Sequence, residues 1–295
     1  MMKRIGRTFS LKSSSKYMLP HNANKELLEA TQIGDVERCD SMIKRGADVN
    51  CKHNFNTSYD QNFPNDAEQT KNDGIFNRFL KIKGSRSEGG AFVQISNPDK
   101  NGNTPAHYAS MGGSSEIMKL LCQNGVDLDT FNEAGAAPIH IAAKNGNCEI
   151  INTMAQHGAN MDIQDRGYSS AAHMAGRRGH ANVIRLLAKY GANLSSRNSV
   201  METPAFLAAS HGHFKTVYVL AENGADIKAK NKRNISPLYY ICRNGDKDLV
   251  NYLLSKGANP NSGVGNCLSV ALELYHSDIV TSLINAGAHV NKVKR

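Results

Sequence analysis

The chain has 295 residues, of which 40% are hydrophobic and 21% are charged, and its formal net charge is +9. No apolar run reaches the roughly 18 residues that a membrane-spanning helix needs, so a membrane span is not expected. The six cysteines lie far apart without any CxxC pair, which argues against a disulfide-stapled secreted domain or a zinc ribbon and favours free thiols in the cytoplasm.

Residues 1–24 are predicted to form a basic, disordered N-terminal tail. Six basic residues and no acidic residue lie within residues 1–25. A secretory signal peptide would need an apolar stretch after Lys3 and Arg4, and Arg7 interrupts it. A mitochondrial transit peptide shares the basic, serine-rich composition, so a targeting role of this tail stays open.

Residues 25–50 contain the first helical unit. Leu27 and Leu28 begin its apolar pattern, and the glycine of the pair Gly46–Ala47 is typical of a left-handed helix C-cap. We expect this segment to be the N-terminal capping unit of a longer array, with one side facing water.

Residues 51–98 interrupt the pattern. We expect a largely disordered insertion, because its first half is rich in Asn, Asp, Gln and Thr. The apolar and basic segment Ile75–Lys83 either folds back onto the array or forms a short partner-binding element. Cys51 and His53 form a Cys/His pair, but adjacency in a polar loop does not bring a nucleophile, a base and an orienting group together.

Residues 99–291 hold a repeat with a period of 33 residues. A Gly-Ala pair or a near variant recurs at this spacing from Gly125 to Gly257, and a second marker, usually Thr-Pro or Ser-Pro, keeps the same spacing from Thr104 to Ser236. Two independent markers that share one period across five units indicate a repeat array.

Each unit is predicted to form two helices. A Thr or Ser caps the first helix, a Pro follows at its first position, and its alanines let neighbouring helices approach closely. A second apolar helix, such as the one around Val183–Leu187, ends at a Gly-Ala pair. One unit cannot bury its apolar face alone, so the units must stack. Tyr168 and Met201 replace a hairpin glycine, and we expect altered loops there.

These residues resemble the ankyrin repeat, whose T-P-L-H, G-H and G-A-D-V-N elements they follow. The resemblance implies an all-α, ankyrin-repeat solenoid of about seven helix-pair units with hairpin loops, curved around a concave face. It covers residues 25–50, which hold repeat one, and residues 99–291, which hold repeats two to seven. Residues 292–295 remain as a basic C-terminal tail. The five full repeats start near Asp99, Asn132, Asp165, Asn198 and Asn231.

The histidines fit the same register. His107, His140 and His173 occupy the position whose imidazole, in ankyrin repeats, bridges neighbouring hairpins, and His180 and His213 occupy the Gly-His position. No P-loop, GxGxxG, HExxH or kinase signature is present. We therefore expect a protein that is not an enzyme and has no cofactor and no metal site.

The expected partner-binding surface lies at the hairpin tips and at the two residues that end each first helix, which vary in ankyrin stacks without affecting the fold. Here these positions carry eight basic and two acidic residues. Guanidinium groups bind carboxylates and phosphates in bidentate fashion, so the expected partner is an acidic or phosphorylated protein segment. We name this surface the basic groove, and it consists of Lys100, Lys144, Arg166, Arg177, Arg178, His211, Lys232, Arg233 and Arg243.

The predicted function is a non-catalytic adaptor or scaffold that captures a partner protein on the concave face, as a monomer in the cytoplasm. The alternative is a host-directed microbial effector in the host cytosol, with a catalytic or short-motif function in residues 51–98. Nucleic acid is not the expected partner, because much of the excess basic charge lies in the tails and aromatic stacking platforms are missing.

Overall fold

The computed structural model describes three stretches of the chain, residues 20–51, 101–262 and 266–290. The chain divides into two units, residues 1–53 with 101–295 and residues 54–100, and every described residue belongs to the first unit. Several sequence predictions therefore concern residues outside the described stretches, namely the tail up to residue 19, the insertion beyond Cys51, residues 292–295 and, in the basic groove, Lys100.

Within the described residues, the regular secondary structure consists of fourteen helices in seven consecutive pairs, without a strand. The expected all-α solenoid of helix pairs is therefore confirmed. The pairs are α1 (Pro20–Ile33) with α2 (Val36–Lys44), α3 (Pro105–Gly112) with α4 (Ser115–Gln123), α5 (Pro138–Asn145) with α6 (Cys148–Gln156), α7 (Ala171–Arg178) with α8 (Ala181–Lys189), α9 (Pro204–Ser210) with α10 (Phe214–Glu222), α11 (Pro237–Asn244) with α12 (Lys247–Ser255), and α13 (Cys267–Glu273) with α14 (Ser277–Asn285).

The helices stack in two layers. The first or inner helix of each pair packs against the inner helix of the next pair, and each second or outer helix packs against the next outer helix. One hydrophobic core cluster runs through the stack from Ala23 to Ala288, and Leu121, Leu187 and Leu253 of the outer helices are fully buried in it. Burying a leucine contributes about 1.5–3 kcal/mol, so stacking stabilises units that would not fold singly.

The inner helices are short because their sequence starts and stops them within about two turns. In α5, Ala137 is the N-cap residue, Pro138 takes the first position, and Gly146 ends the helix with a φ of 77°. Ala142 and Ala143 are fully buried. Small side chains at these positions allow the inner helices of neighbouring pairs to lie close together.

The hairpin loops at Tyr168 and Met201 keep the regular conformation, so the expectation of altered loops is wrong. Their φ angles are 58° and 65°, in the same left-handed region as Gly135 at 76°. The Tyr168 N–H donates to the Asp165 carbonyl at 2.9 Å, just as the Gly135 N–H donates to Asn132. The hydrogen bonds of the hairpin therefore impose this conformation even on residues that have a Cβ.

Helix α1 begins at Pro20, so residues 20–24 are helical, although the sequence analysis assigns them to the N-terminal tail. Asn24 belongs to the packed array, because its Oδ1 accepts the backbone N–H of Asp48 at 2.7 Å. Proline is favoured at the first position of a helix, and Pro20 is the feature of the sequence that predicts this start.

Candidate functional site

Histidines near the start of successive inner helices bridge neighbouring hairpins. In α5, His140 Nδ1 accepts the Ala137 N–H at 2.9 Å, so Nε2 carries the hydrogen that it donates to the carbonyls of Ile163 and Ser169, both at 3.0 Å. Burial lowers the pKa of His140 and of His173, which takes the same position in α7. These rings are neutral structural links between repeats.

A second set of histidines holds the ends of the inner helices. His180 Nε2 donates to the Lys144 carbonyl at 3.0 Å, and His213 Nε2 donates to the Arg177 carbonyl at 3.1 Å. The ring of His180 lies so close to Gly146 that a Cβ there would come within 2.9 Å of it. Both histidines thereby fix the backbone that carries a basic side chain of the preceding repeat.

The structure describes eight of the nine members of the basic groove, and all eight are exposed. The salt bridges among the described residues involve other cations, namely Arg38, Lys44, Arg197 and Lys247. Within the described part of the chain, no carboxylate therefore pairs with the lysines and arginines of the groove.

Four members of the basic groove surround one cavity of about 650 Å³. Lys144 lies near the end of α5, Arg177 and Arg178 end α7, and His211 directly follows α9. We name these four residues the cavity group. None of the described residues that line the cavity is acidic, and its remaining lining consists of Met111, Asn132, Ala136, His140, Ile141 and Met174.

The other described members of the basic groove do not line this cavity. Arg166, Lys232 and Arg233 lie on hairpin loops, and Arg243 lies in the last turn of α11. The side chain of Arg166 crosses the preceding hairpin, where a Cβ on Gly135 would collide with it. The structure thus divides the predicted groove into the cavity group and a set of separate surface cations.

Helix dipoles explain part of the charge pattern. Lys144, Arg177 and Arg178 lie in the last turns of α5 and α7, where a cation near the partial negative charge of the helix end contributes about 0.3–1 kcal/mol. Cations from adjacent repeats that converge on one cavity also repel each other. The helix dipole thus accounts for a cation at each helix end. It does not account for the presence of cations from adjacent repeats around one cavity.

Sequence reasoning missed the apolar lining of the cavity. Ile141 and Met174 precede Lys144 and Arg177 by three residues, a spacing that puts two side chains on the same face of a helix. The signal was present, because Ile141 and Met174 are themselves one repeat period apart. Ile141 and Met174 lie outside the hairpin tips and helix ends, which are the positions expected to bind a partner.

Cys51 does not have the environment of a nucleophile. It is buried beside Tyr108, and its thiol donates to the Asn24 carbonyl at 3.7 Å. Burial, reinforced by the nearby Asp48 carboxylate, raises the pKa of Cys51 to about 12. Reactive cysteines need a lowered pKa, because the thiolate is the attacking species. His53, the neighbouring histidine, lies outside the described residues.

In the three described stretches, no three His, Cys, Asp or Glu side chains are grouped in a way that would hold a metal ion. None of the helices in those stretches has the length and apolar character of a membrane span.

Comparison with known families gives one match. A family model described as ankyrin repeats in three copies matches residues 67–165, 139–231 and 228–294, which together make up more than half of the chain. The first of these matches starts inside residues 51–98, where the sequence analysis expects an insertion. Comparison with curated proteins gives no match.

Proposed function

Because the chain belongs to the ankyrin-repeat family, we propose that it is a non-catalytic adaptor that captures an acidic or phosphorylated segment of a partner protein. Ankyrin repeats are generally protein-interaction modules, and the family is typically non-catalytic. The cavity group is the proposed centre of capture, and the surface cations of the basic groove extend it along the partner segment.

The observation that carries this proposal is the convergence of Lys144, Arg177, Arg178 and His211 on a cavity whose described lining contains no acidic residue. Exposed cations raise the local concentration of an anionic partner and steer its approach. Charge-assisted hydrogen bonds from guanidinium groups to carboxylates or phosphates are among the strongest polar contacts that a protein surface makes.

The test is a double charge reversal, Arg177→Glu with Arg178→Glu. The probes are synthetic peptide libraries that differ only at a fixed central residue, which is glutamate, phosphoserine or glutamine. The wild-type protein is expected to prefer the two anionic libraries. The reversed protein is expected to bind the selected peptides at least about tenfold more weakly, because a hydrogen bond to a charged group contributes about 1.5–3 kcal/mol.

The matched control reverses two cations of the same helix pair in the other layer, Arg185→Glu with Lys189→Glu. Both residues are exposed on α8, Lys189 lies in its last turn, and neither lines the cavity. This control is expected to bind the selected peptides like the wild type. Equal binding by the Arg177/Arg178 reversal, or no preference for the anionic libraries, would contradict the proposal.

The proposal includes action as a monomer in the cytoplasm, or in the host cytosol if the protein is a delivered effector. All six cysteines are free, as a reducing compartment would keep them. Burial raises the pKa of Cys39, Cys51, Cys122 and Cys148. A hydrogen bond with Cys267, together with burial, raises the pKa of Cys242.

A further inference from the structure

The cavity combines two kinds of lining. Beside the cations, it is lined by the long apolar side chains of Met111, Ile141 and Met174. On α5 and on α7, an apolar residue stands one helical turn before Lys144 or Arg177 and shares its face of the helix. An occupant that satisfies the whole cavity must therefore be apolar on one side and anionic on the other.

Met111 makes the cavity asymmetric. It lies near the end of α3, at the position that Lys144 and Arg177 take in the next two inner helices. Of these three equivalent positions, the first is therefore apolar and the other two are cationic. Met111 is 44% exposed. A thioether gains from contact with an aromatic ring, and a flexible methionine adapts its shape to one.

The residues on the hairpin side of the cavity have few polar atoms that remain free to bind an occupant. Asn132 Oδ1 accepts the Ala136 N–H at 2.9 Å, and Asn132 Nδ2 donates to Asn103 Oδ1 at 2.8 Å. Both ring nitrogens of His140 are bonded to the backbone. The anionic part of an occupant must therefore be recognised at the helix ends, by the cavity group.

We infer that this cavity binds the side chain of a phosphotyrosine in the captured protein segment, an inference that rests on the proposed function. The phosphate carries a charge of about −1.5 to −2 and three acceptor oxygens, which match the two guanidinium groups and the ammonium group of Lys144. The aromatic ring covers Met111 and Met174.

The size of the cavity supports an aromatic phosphate over smaller anions. Its volume of about 650 Å³ falls within the range of about 300–1,000 Å³ that is usual for sites that enclose a small organic molecule. A glutamate or phosphoserine side chain reaches the cations but leaves the methionines in contact with water. An unphosphorylated tyrosine covers the methionines but leaves the cations without a partner.

The inference is tested with one otherwise uncharged peptide whose single variable residue is phosphotyrosine, tyrosine, phosphoserine or glutamate, with binding measured by fluorescence anisotropy. The phosphotyrosine peptide is expected to bind at least about tenfold more tightly than each of the other three. Phenyl phosphate is expected to displace it at concentrations at which inorganic phosphate does not.

Two variants separate the two sides of the cavity. Met111→Ser changes an exposed side chain and is expected to weaken the binding of the phosphotyrosine peptide much more than that of the phosphoserine and glutamate peptides, so that most of the preference for phosphotyrosine is lost. Arg177→Gln is expected to weaken the binding of all three anionic peptides and to change the binding of the unphosphorylated tyrosine peptide little. Arg185→Gln on the outer helix α8 is the control and is expected to change none of them.

The outcomes distinguish this inference from the proposed function. Equal affinities for phosphoserine and phosphotyrosine, with no effect of Met111→Ser, would overturn the phosphotyrosine assignment while dependence on Arg177 still supports capture of anionic segments. Anionic peptides that bind the Arg177→Gln protein as tightly as the wild type would overturn both.

Discussion

Four described residues other than glycine adopt a backbone conformation that suits glycine better, and Tyr168 and Met201 are two of them. Tyr168 and Met201 have positive φ angles, and they are 61% and 39% exposed. The left-handed conformation costs a residue with a Cβ about 1–2 kcal/mol, and Tyr168, the more exposed of the two, buries the smaller share of its surface to offset this cost.

Tyr168→Gly is therefore expected to stabilise the protein. The expected gain in the free energy of unfolding is about 0.5–1 kcal/mol, because relief of the left-handed strain exceeds the extra conformational entropy that glycine gives the unfolded chain. Urea denaturation measures it. Tyr168→Ala keeps a Cβ at the strained position and should give no such gain, and a loss of stability in the glycine variant would mean that the tyrosine side chain packs favourably.

At the scale of elements, the approach of two inner helices depends on one missing side chain. Gly176 lies inside α7, and a Cβ built there would come within 2.6 Å of the Pro204 carbonyl oxygen at the start of α9. The obstacle is backbone, which cannot turn aside as a flexible side chain could. Gly112, the last residue of α3, has nothing within 4 Å of the same position.

Gly176→Ala and Gly112→Ala are thus expected to act in opposite directions. The first should lower the free energy of unfolding by about 1–3 kcal/mol, since overpacking forces helices apart. The second should raise it by up to about 1 kcal/mol, because alanine favours a helix more than glycine does. Thermal or urea unfolding of the pair gives the comparison, and a destabilised Gly112→Ala protein together with an unaffected Gly176→Ala protein would refute this packing.

At the scale of the whole array, the buried histidines make cohesion between repeats sensitive to acid. His107 Nε2 donates to the Ala136 carbonyl at 2.9 Å, and His173 Nε2 donates to the Glu202 carbonyl at 3.1 Å. With His140, these residues link successive repeats through their imidazole rings. Protonation would put a charge on Nδ1 opposite the backbone N–H that now donates to it.

Stability is therefore expected to fall on acidification. Burial lowers the pKa of His140 and His173 from the ordinary value of 6.5. Below pH 6.5 the unfolded chain takes up protons that the folded chain excludes. The contribution of the neutral histidines to the free energy of unfolding is therefore complete above pH 6.5, and it is lost as pH falls toward their lowered pKa in the folded chain. Each histidine lowers the free energy of unfolding by at most about 1.4 kcal/mol per pH unit.

Urea unfolding between about pH 8 and pH 5 measures this loss. His140→Gln removes one of the buried titrating groups, so its stability should decline less steeply with acid than that of the wild type, although the lost hydrogen bonds lower its stability at pH 8. A decline as steep as that of the wild type would assign the acid sensitivity to other groups.

Much of the architecture follows from the sequence, because its signals are local and repeat every 33 residues. A proline at the first helical position, a glycine at the helix end and an apolar face act within one or two turns. The recurrence of these signals predicts the helix pairs and the structural role of His140. The start of α1 at Pro20 was missed because the basic composition around it resembles that of a disordered tail.

The composition of the cavity was decided only by the tertiary structure. The repeat period puts Arg177 and Arg243 at equivalent positions, yet only Arg177 lines the cavity with His211. The burial of Cys51 beside Tyr108 likewise joins residues on either side of a long intervening segment. The physical reason is that caps and helices depend on neighbours in the chain, whereas a cavity depends on which side chains meet once repeats with different residues are packed together.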